Sequence, residues 1–236
     1  MTDRLGEQAT RVGALAEPVR RALYRYVVGR SEAVSREQAA TGVNLPVHTA
    51  KFHLDRLTDA GLLQVEFRRL TGRSGPGAGR PAKLYRRSGE QVAVSLPERH
   101  YDLAGEVLAG AVDRASRSGL PVAEAVSAVA REAGARLAAE PDESPVPHVD
   151  VRPDTAAGEL EAVGRVLARH GYEPRPLAEG LCLANCPFDR LAAGHTELVC
   201  GLNRDLVAGV LEGLRADRLR AVLAPQPGHC CVRVTG

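Results

Sequence analysis

Residues 35–63 read SREQAATGVNLPVHTAKFHLDRLTDAGLL, and the order of signals within them decides the fold of the first third of the chain. Ser35 followed by Gln38 forms a capping box, in which each side chain satisfies a backbone N–H orphaned at a helix start. It opens a short helix through Ala39 and Ala40. Gly42 and Asn44 supply turn chemistry, and Pro46 suits the first turn of a second helix, where its missing N–H is not needed. That helix should run to about Ala60 and stop at Gly61. Val47, Ala50, Leu54 and Leu57 recur at helical spacing as the stripe it buries.

Upstream, Pro18 marks another helix start, and Val19, Ala22, Leu23, Tyr26 and Val27 form its apolar face. Downstream, Leu62 to Phe67 reads as a strand and Lys83 to Arg87 as its hairpin partner, with a glycine- and arginine-rich tip over residues 71–81. Helix, short helix, turn, helix and basic hairpin is the order of a winged helix-turn-helix. In that motif the second helix enters the major groove with its N-terminal residues at the base edges. Opposite the apolar stripe stand His48, Thr49, Phe52, Asp55 and Arg56, with Lys51 on the flank. His48 and Thr49 suit base edges, Phe52 a thymine methyl, and Lys51 and Arg56 phosphates or guanine. The hairpin carries Arg68, Arg69, Arg73, Arg80, Lys83, Arg86 and Arg87 with no acid among them, a stripe suited to phosphates and, at its tip, to a minor groove.

These residues resemble bacterial winged-helix repressors of the ArsR and DeoR kind. The likeness rests on LAEPVRRALYRYV, on the stretch quoted above and on the wing segment Gly79-Arg80-Pro81-Ala82-Lys83-Leu84-Tyr85, and it covers roughly residues 11–88. It implies a DNA-binding fold and names no effector.

Charge agrees with that division. The 236-residue chain has a formal charge of only +2, yet residues 1–94 carry 16 Lys and Arg against 9 Asp and Glu, while the remainder carries 15 against 20. A basic first part joined to an acidic second part points to nucleic acid at one end and another task at the other. Apolar residues make up 44%, enough for real cores, with aromatics at only 3%. Pro97 to about Glu140 reads as two Ala-rich helices broken at Gly119-Leu120-Pro121, with stripes of Leu103, Val107, Leu108, Ala111 and Val112, then Val122, Val126, Val129 and Ala130. They are expected to connect and dimerise the protein. Residues 141–154 are proline-rich and read as a linker. Beyond lie a helix from Thr155 to His170, a strand from Pro176 to Ala184, a long helix from about Leu191 to Ala216, and a last strand near Leu219 to Ala224.

All five cysteines fall in this final part, as Cys182, Cys186, Cys200, Cys230 and Cys231. No stretch is apolar enough to span a bilayer, and the first 30 residues are too charged for a secretory signal. A cytoplasmic chain without membrane contact is therefore expected, in which clustered thiols bind metal or do redox work rather than form disulfides. Three arrangements compete. Zinc would want two tight ligand pairs, and the spacing here fits no finger or ribbon. An iron–sulfur cluster takes thiolates from separated segments, and a Cys-Pro step like Cys186-Pro187 recurs in such loops. A metal-free redox switch needs only neighbouring thiols. Cys182 reads as a buried inert thiol between Leu181 and Leu183. Of Cys230 and Cys231, strand alternation would point one at the site and one away.

Asn185-Cys186-Pro187-Phe188, with His195, Leu198-Val199-Cys200 and Pro227-Gly228-His229-Cys230-Cys231, resembles the C-terminal domain of SufR-type regulators. The resemblance implies a 4Fe–4S cluster controlling operator affinity, with Cys186, Cys200 and Cys230 matching the family's cysteines. Cys231, Cys182, His195 or an external ligand stays open as the fourth. There is no phosphate-binding loop, dinucleotide turn or nucleophile elbow, so neither an enzyme nor a small-molecule substrate is expected.

The resulting expectation is a mainly α protein with an α+β second domain. A winged helix-turn-helix occupies residues 1–94, connector helices 95–140, a linker 141–154 and a cysteine-containing α+β domain 155–236. It would act as a homodimeric transcriptional repressor on a double-stranded DNA operator, governed by an iron–sulfur cluster at Cys186, Cys200, Cys230 and Cys231. A structural zinc site or a metal-free thiol switch is the alternative.

Overall fold

The computed structural model describes residues 4–69, 81–141, 155–226 and 228–236. They pack as two units divided between Val94 and Ser95. The first contains α1 (Arg4–Ala14), α2 (Pro18–Val28), β1 (Val34–Ser35), α3 (Arg36–Gly42), α4 (Val47–Asp59), β2 (Leu63–Arg68) and β3 (Ala82–Arg87). Its strands form an antiparallel sheet in the order β1-β3-β2, with Val65 opposite Tyr85 and Val34 opposite the same tyrosine.

The expected capping box is present. Gln38 N–H donates to Ser35 Oγ at 3.2 Å, and Ser35 N–H donates to Gln38 Oε1 at 2.8 Å. Asn44 adopts φ 55°, which lets Leu45 N–H reach Ala40 O at 2.9 Å and turns the chain out of α3 toward α4. Gly61, at φ 69°, does the same after α4, with Leu62 N–H donating to Leu57 O at 3.0 Å. Leu23, Leu54 and Leu57 are fully buried between α2 and α4, and each contributes roughly 1.5–3 kcal/mol over an exposed position. Val47, expected in that stripe, is 42% exposed, because it stands at the helix's first residue, above the core. α1 extends the unit before the Pro18 start. The wing tip, residues 70–80, with Arg73 and Arg80, lies outside the described residues.

The second unit contains α5 (Tyr101–Ser118), α6 (Val122–Ala139), α7 (Ala156–Arg169), β4 (Pro174–Leu177), β5 (Gly180–Leu183), α8 (Asp189–Gly194), α9 (Thr196–Leu214), β6 (Arg220–Leu223) and β7 (Val232–Thr235). Its sheet is antiparallel in the order β4-β5-β7-β6. Here the structure departs from the expected division. Ala111, Val129, Val163, Leu183, Phe188, Leu206, Val210 and Val232 belong to one core, so residues 95–140 and 155–236 are halves of a single unit. The reason is α9, whose buried residues Val199, Leu202, Leu206, Val207, Val210 and Leu211 leave little of it for solvent. A helix apolar on most faces must be covered on most faces, and α6 and the sheet provide the cover. The apolar stripes of α5 and α6 are therefore largely spent inside the chain. Val112 and Val122 are exceptions, at 56% and 55% exposed.

Three smaller boundaries also differ. The strand expected over 176–184 is a hairpin, β4-β5. The helix expected over 191–216 breaks at His195, whose φ of −141° separates α8 from α9. β7, unforeseen, follows the cysteine pair directly. The 141–154 linker lies outside the described residues apart from Pro141. Among the described residues, no helix is long and apolar enough to cross a membrane.

Candidate functional site

α4 presents His48, Lys51, Phe52 and Arg56 as exposed side chains and Thr49 as half-buried. The Arg56 guanidinium lies 5.5 Å over the Phe52 ring, so the two form one amphipathic surface rather than separate contacts. Arg68 and Arg69 are exposed at the end of β2, with Arg68 3.6 Å from Glu32. Lys83 is differently placed from expectation. Its ammonium donates to Asp55 Oδ1 at 2.6 Å, and the Tyr85 hydroxyl donates to the same oxygen at 2.8 Å. Burial pushes the Asp55 carboxyl up, but these two bonds outweigh it and hold the group below its usual range. Burial and the bond to Asp55 push the Tyr85 phenol well above its own. The trio fastens β3 to α4, with the Lys83 ammonium paired to Asp55. An open groove between helix and wing is lined by Arg36, Lys51, Phe67 and Lys83.

The second unit gathers four of its five cysteines. Cys186 sits in the turn after β5, Cys200 in the second turn of α9, and Cys230 and Cys231 at the entry to β7. Cys230 neighbours both Cys186 and Cys231, and Cys231 also neighbours Cys200. Cys230 is buried and Cys231 half-buried, and both precede the first residue of β7 rather than standing within the strand. Cys182 is buried within β5.

The bond from Cys230 lowers Cys186, and the bonds from Cys230 and Cys200 bring Cys231 down to about 6. Cys230, lodged between them, is pushed far up, first by its bonds to Cys186 and Cys231 and then by burial. Burial, then the neighbouring Cys231, raises Cys200 to about 12. Among the described residues, no group of three or more His, Cys, Asp or Glu is arranged so that it could hold a metal ion. The thiols are neighbours in a row, and ligation would require them to shed protons and close around one centre. The donor chemistry fits a soft metal or an iron–sulfur cluster. His195 and Glu197 are exposed at the α8–α9 junction, which leaves the thiols as the donors that converge.

Sequence reasoning overlooked the groups that support this cluster. Asn203, 1% exposed on α9, donates from Nδ2 to Cys230 Sγ at 3.1 Å, with Cys186 Sγ at 4.0 Å. Its Oδ1 accepts from the Tyr172 hydroxyl, which fixes the amide's orientation. The signal was a polar residue inside an apolar helical stripe, three positions after Cys200. Arg99 and Asn185 hold the Cys186 turn. Arg99 Nη1 donates to Cys186 O at 2.8 Å and to Asn185 Oδ1, while Asn185 Nδ2 donates to Glu98 O at 3.0 Å and to Gly171 O.

A helix-turn-helix domain family matches residues 15–66, which run from the approach to α2 through most of β2. No curated protein and no solved structure matches the chain. The match and the basic face of α4 and the wing support a DNA-binding transcriptional regulator.

Proposed function

We propose that this chain is a SufR-type repressor whose hold on a double-stranded DNA operator is set by a 4Fe–4S cluster at Cys186, Cys200, Cys230 and Cys231. The observation that carries the reading is the meeting of thiols from a turn, a helix and a strand entry far apart in sequence. When bound, such a cluster would bring sensitivity to oxidant and to iron supply. The protein's own contribution is to orient and tether. Cys200 rides on α9, the most buried helix, and gives the site a rigid wall. Cys186 and the Cys230-Cys231 bend close on that wall, and Asn203 offers an amide donor to the sulfurs, as outer groups around metal thiolates do. Acting as a cytoplasmic homodimer, the protein would set two α4 helices into half-sites about one duplex turn apart.

A second reading has its own support. Neighbouring free thiols, with no group among the described residues arranged to hold a metal ion, suit a metal-free switch that an oxidant closes into disulfides. Purification without air separates the readings. The cluster predicts a brown protein with iron and acid-labile sulfide in near-equal amounts, both lost in Cys186→Ser and Cys200→Ser. Zinc without sulfide would mean a structural metal site. A colourless protein that gains neither metal nor sulfide on anaerobic reconstitution would leave the thiol switch in its place.

A further inference from the structure

The cysteine site needs a route to the DNA-binding unit, and the segment that enters the second unit is bolted to one of its cysteines. Residues 98–100 precede α5 and lie against the Cys186 turn through several independent contacts. His100 N–H donates to Pro187 O at 3.1 Å. Arg99 donates to Cys186 O at 2.8 Å and to Asn185 Oδ1, and its Nη2 is 3.7 Å from Asp189. Asn185 returns a bond from Nδ2 to Glu98 O at 3.0 Å. The Arg99 side chain is only 17% exposed, so it is a fitted part rather than a surface charge. On the other side of Val94 the same segment is fastened to the first unit. Ser88 N–H donates to Leu62 O at 3.2 Å, Glu90 pairs with Arg11 at 2.6 Å, and Val92 packs on the core. Residues 93–97 alone separate the two sets of fastenings.

We propose that Arg99, with Asn185 and the backbone of His100, is the coupling element that carries the ligation state of Cys186 into the segment leading to the winged-helix unit. This rests on the cysteines being the ligand site proposed above. Drawing the Cys186 sulfur toward a centre shared with Cys200 and Cys230 moves the Asn185-Cys186-Pro187 turn. The guanidinium, spanning the Cys186 carbonyl and the Asn185 side chain, makes residues 98–100 move with it. A planar fork with several fixed donors suits that task, and a lysine's single ammonium does not. Arg99 touches no sulfur, so it is a positioning residue.

The test is hydrogen exchange on the full-length protein, with its thiols reduced and free and then loaded with Cd(II) as a soft-metal probe. Cd(II) uptake and thiol protection are measured in parallel. On loading, amide exchange over residues 98–101 in the wild type should slow by about fivefold to tenfold. In Arg99→Gln and Arg99→Lys, Cd(II) uptake should be unchanged while that slowing is lost. Uptake in the wild type with no change at 98–101, or equal slowing in both variants, overturns the coupling and leaves the cysteine site standing. Failure of the wild type to take up Cd(II) overturns the ligand site, and the coupling with it.

Discussion

Asn203 stands three residues after Cys200, close to one helical turn along the same face of α9, uncharged and almost fully buried. Its amide joins two groups that are otherwise hard to bury, the Tyr172 hydroxyl and the Cys230 thiol. Burial pushes the Tyr172 phenol well above its ordinary range, so the hydroxyl stays protonated and can only be satisfied by an acceptor such as the Asn203 oxygen. Removing both partners should therefore cost less than the two single removals added together. Asn203→Leu and Tyr172→Phe should each destabilise by about 1–3 kcal/mol, because each leaves a buried polar atom orphaned. The double variant should fall short of their sum by about 1 kcal/mol or more. Urea unfolding of the four proteins measures the cycle, and strict additivity would refute the pairing. At this scale the cysteines could be read from the sequence because their type and clustering are informative. Asn203, Arg99 and Tyr172 could not, because their roles depend on which distant atoms they meet.

At the scale of elements, the contact between α6 and α9 decides the architecture of the second unit. A Cβ at Gly209 would lie 2.0 Å from Arg131 O, and one at Gly134 would lie 1.9 Å from Leu206 O. The backbones touch directly, which no side chain can accommodate by changing rotamer. Gly209→Val should destabilise the protein by at least the upper end of the about 1–3 kcal/mol usual for overpacking. Gly201→Ala, in the same helix with nothing within 4 Å of the added carbon, should instead stabilise by about 0.5–1 kcal/mol through helix propensity. Thermal unfolding of both variants checks the contrast, and similar effects would count against the close crossing. Periodicity announced helices over about residues 97–140 and 191–216, since spacing along one chain is a local property. It gave the stripes no partner, and so α5 and α6 read as a separate connector when α6 covers α9 and α5 packs on α6.

For the whole molecule, the excess of Lys and Arg in residues 1–94 supplies attraction to DNA that does not depend on sequence. Its working part is smaller than the count of cations implies, because the Asp55 carboxylate occupies Lys83. Lys51→Ala should lower the slope of log K against log salt by about one for a generic duplex. Asp55→Asn should make that slope steeper, since it releases Lys83 toward the phosphates. Binding measured over a salt series tests both, and an unchanged slope for Lys51→Ala would remove that residue from the interface.

The sequence by itself determined the winged helix-turn-helix. Capping box, turn residues, stripe and stop are local signals that act between residues a few positions apart, and each has one physical meaning. It also announced that thiols are concentrated in the last part of the chain. Only the tertiary structure decided that four of them meet, that α5 and α6 share a core with α9, that Lys83 is held by Asp55, and that residues 98–100 clasp the Cys186 turn. Those facts depend on long-range burial and on hydrogen bonds across tens of residues, which packing selects and sequence spacing does not encode.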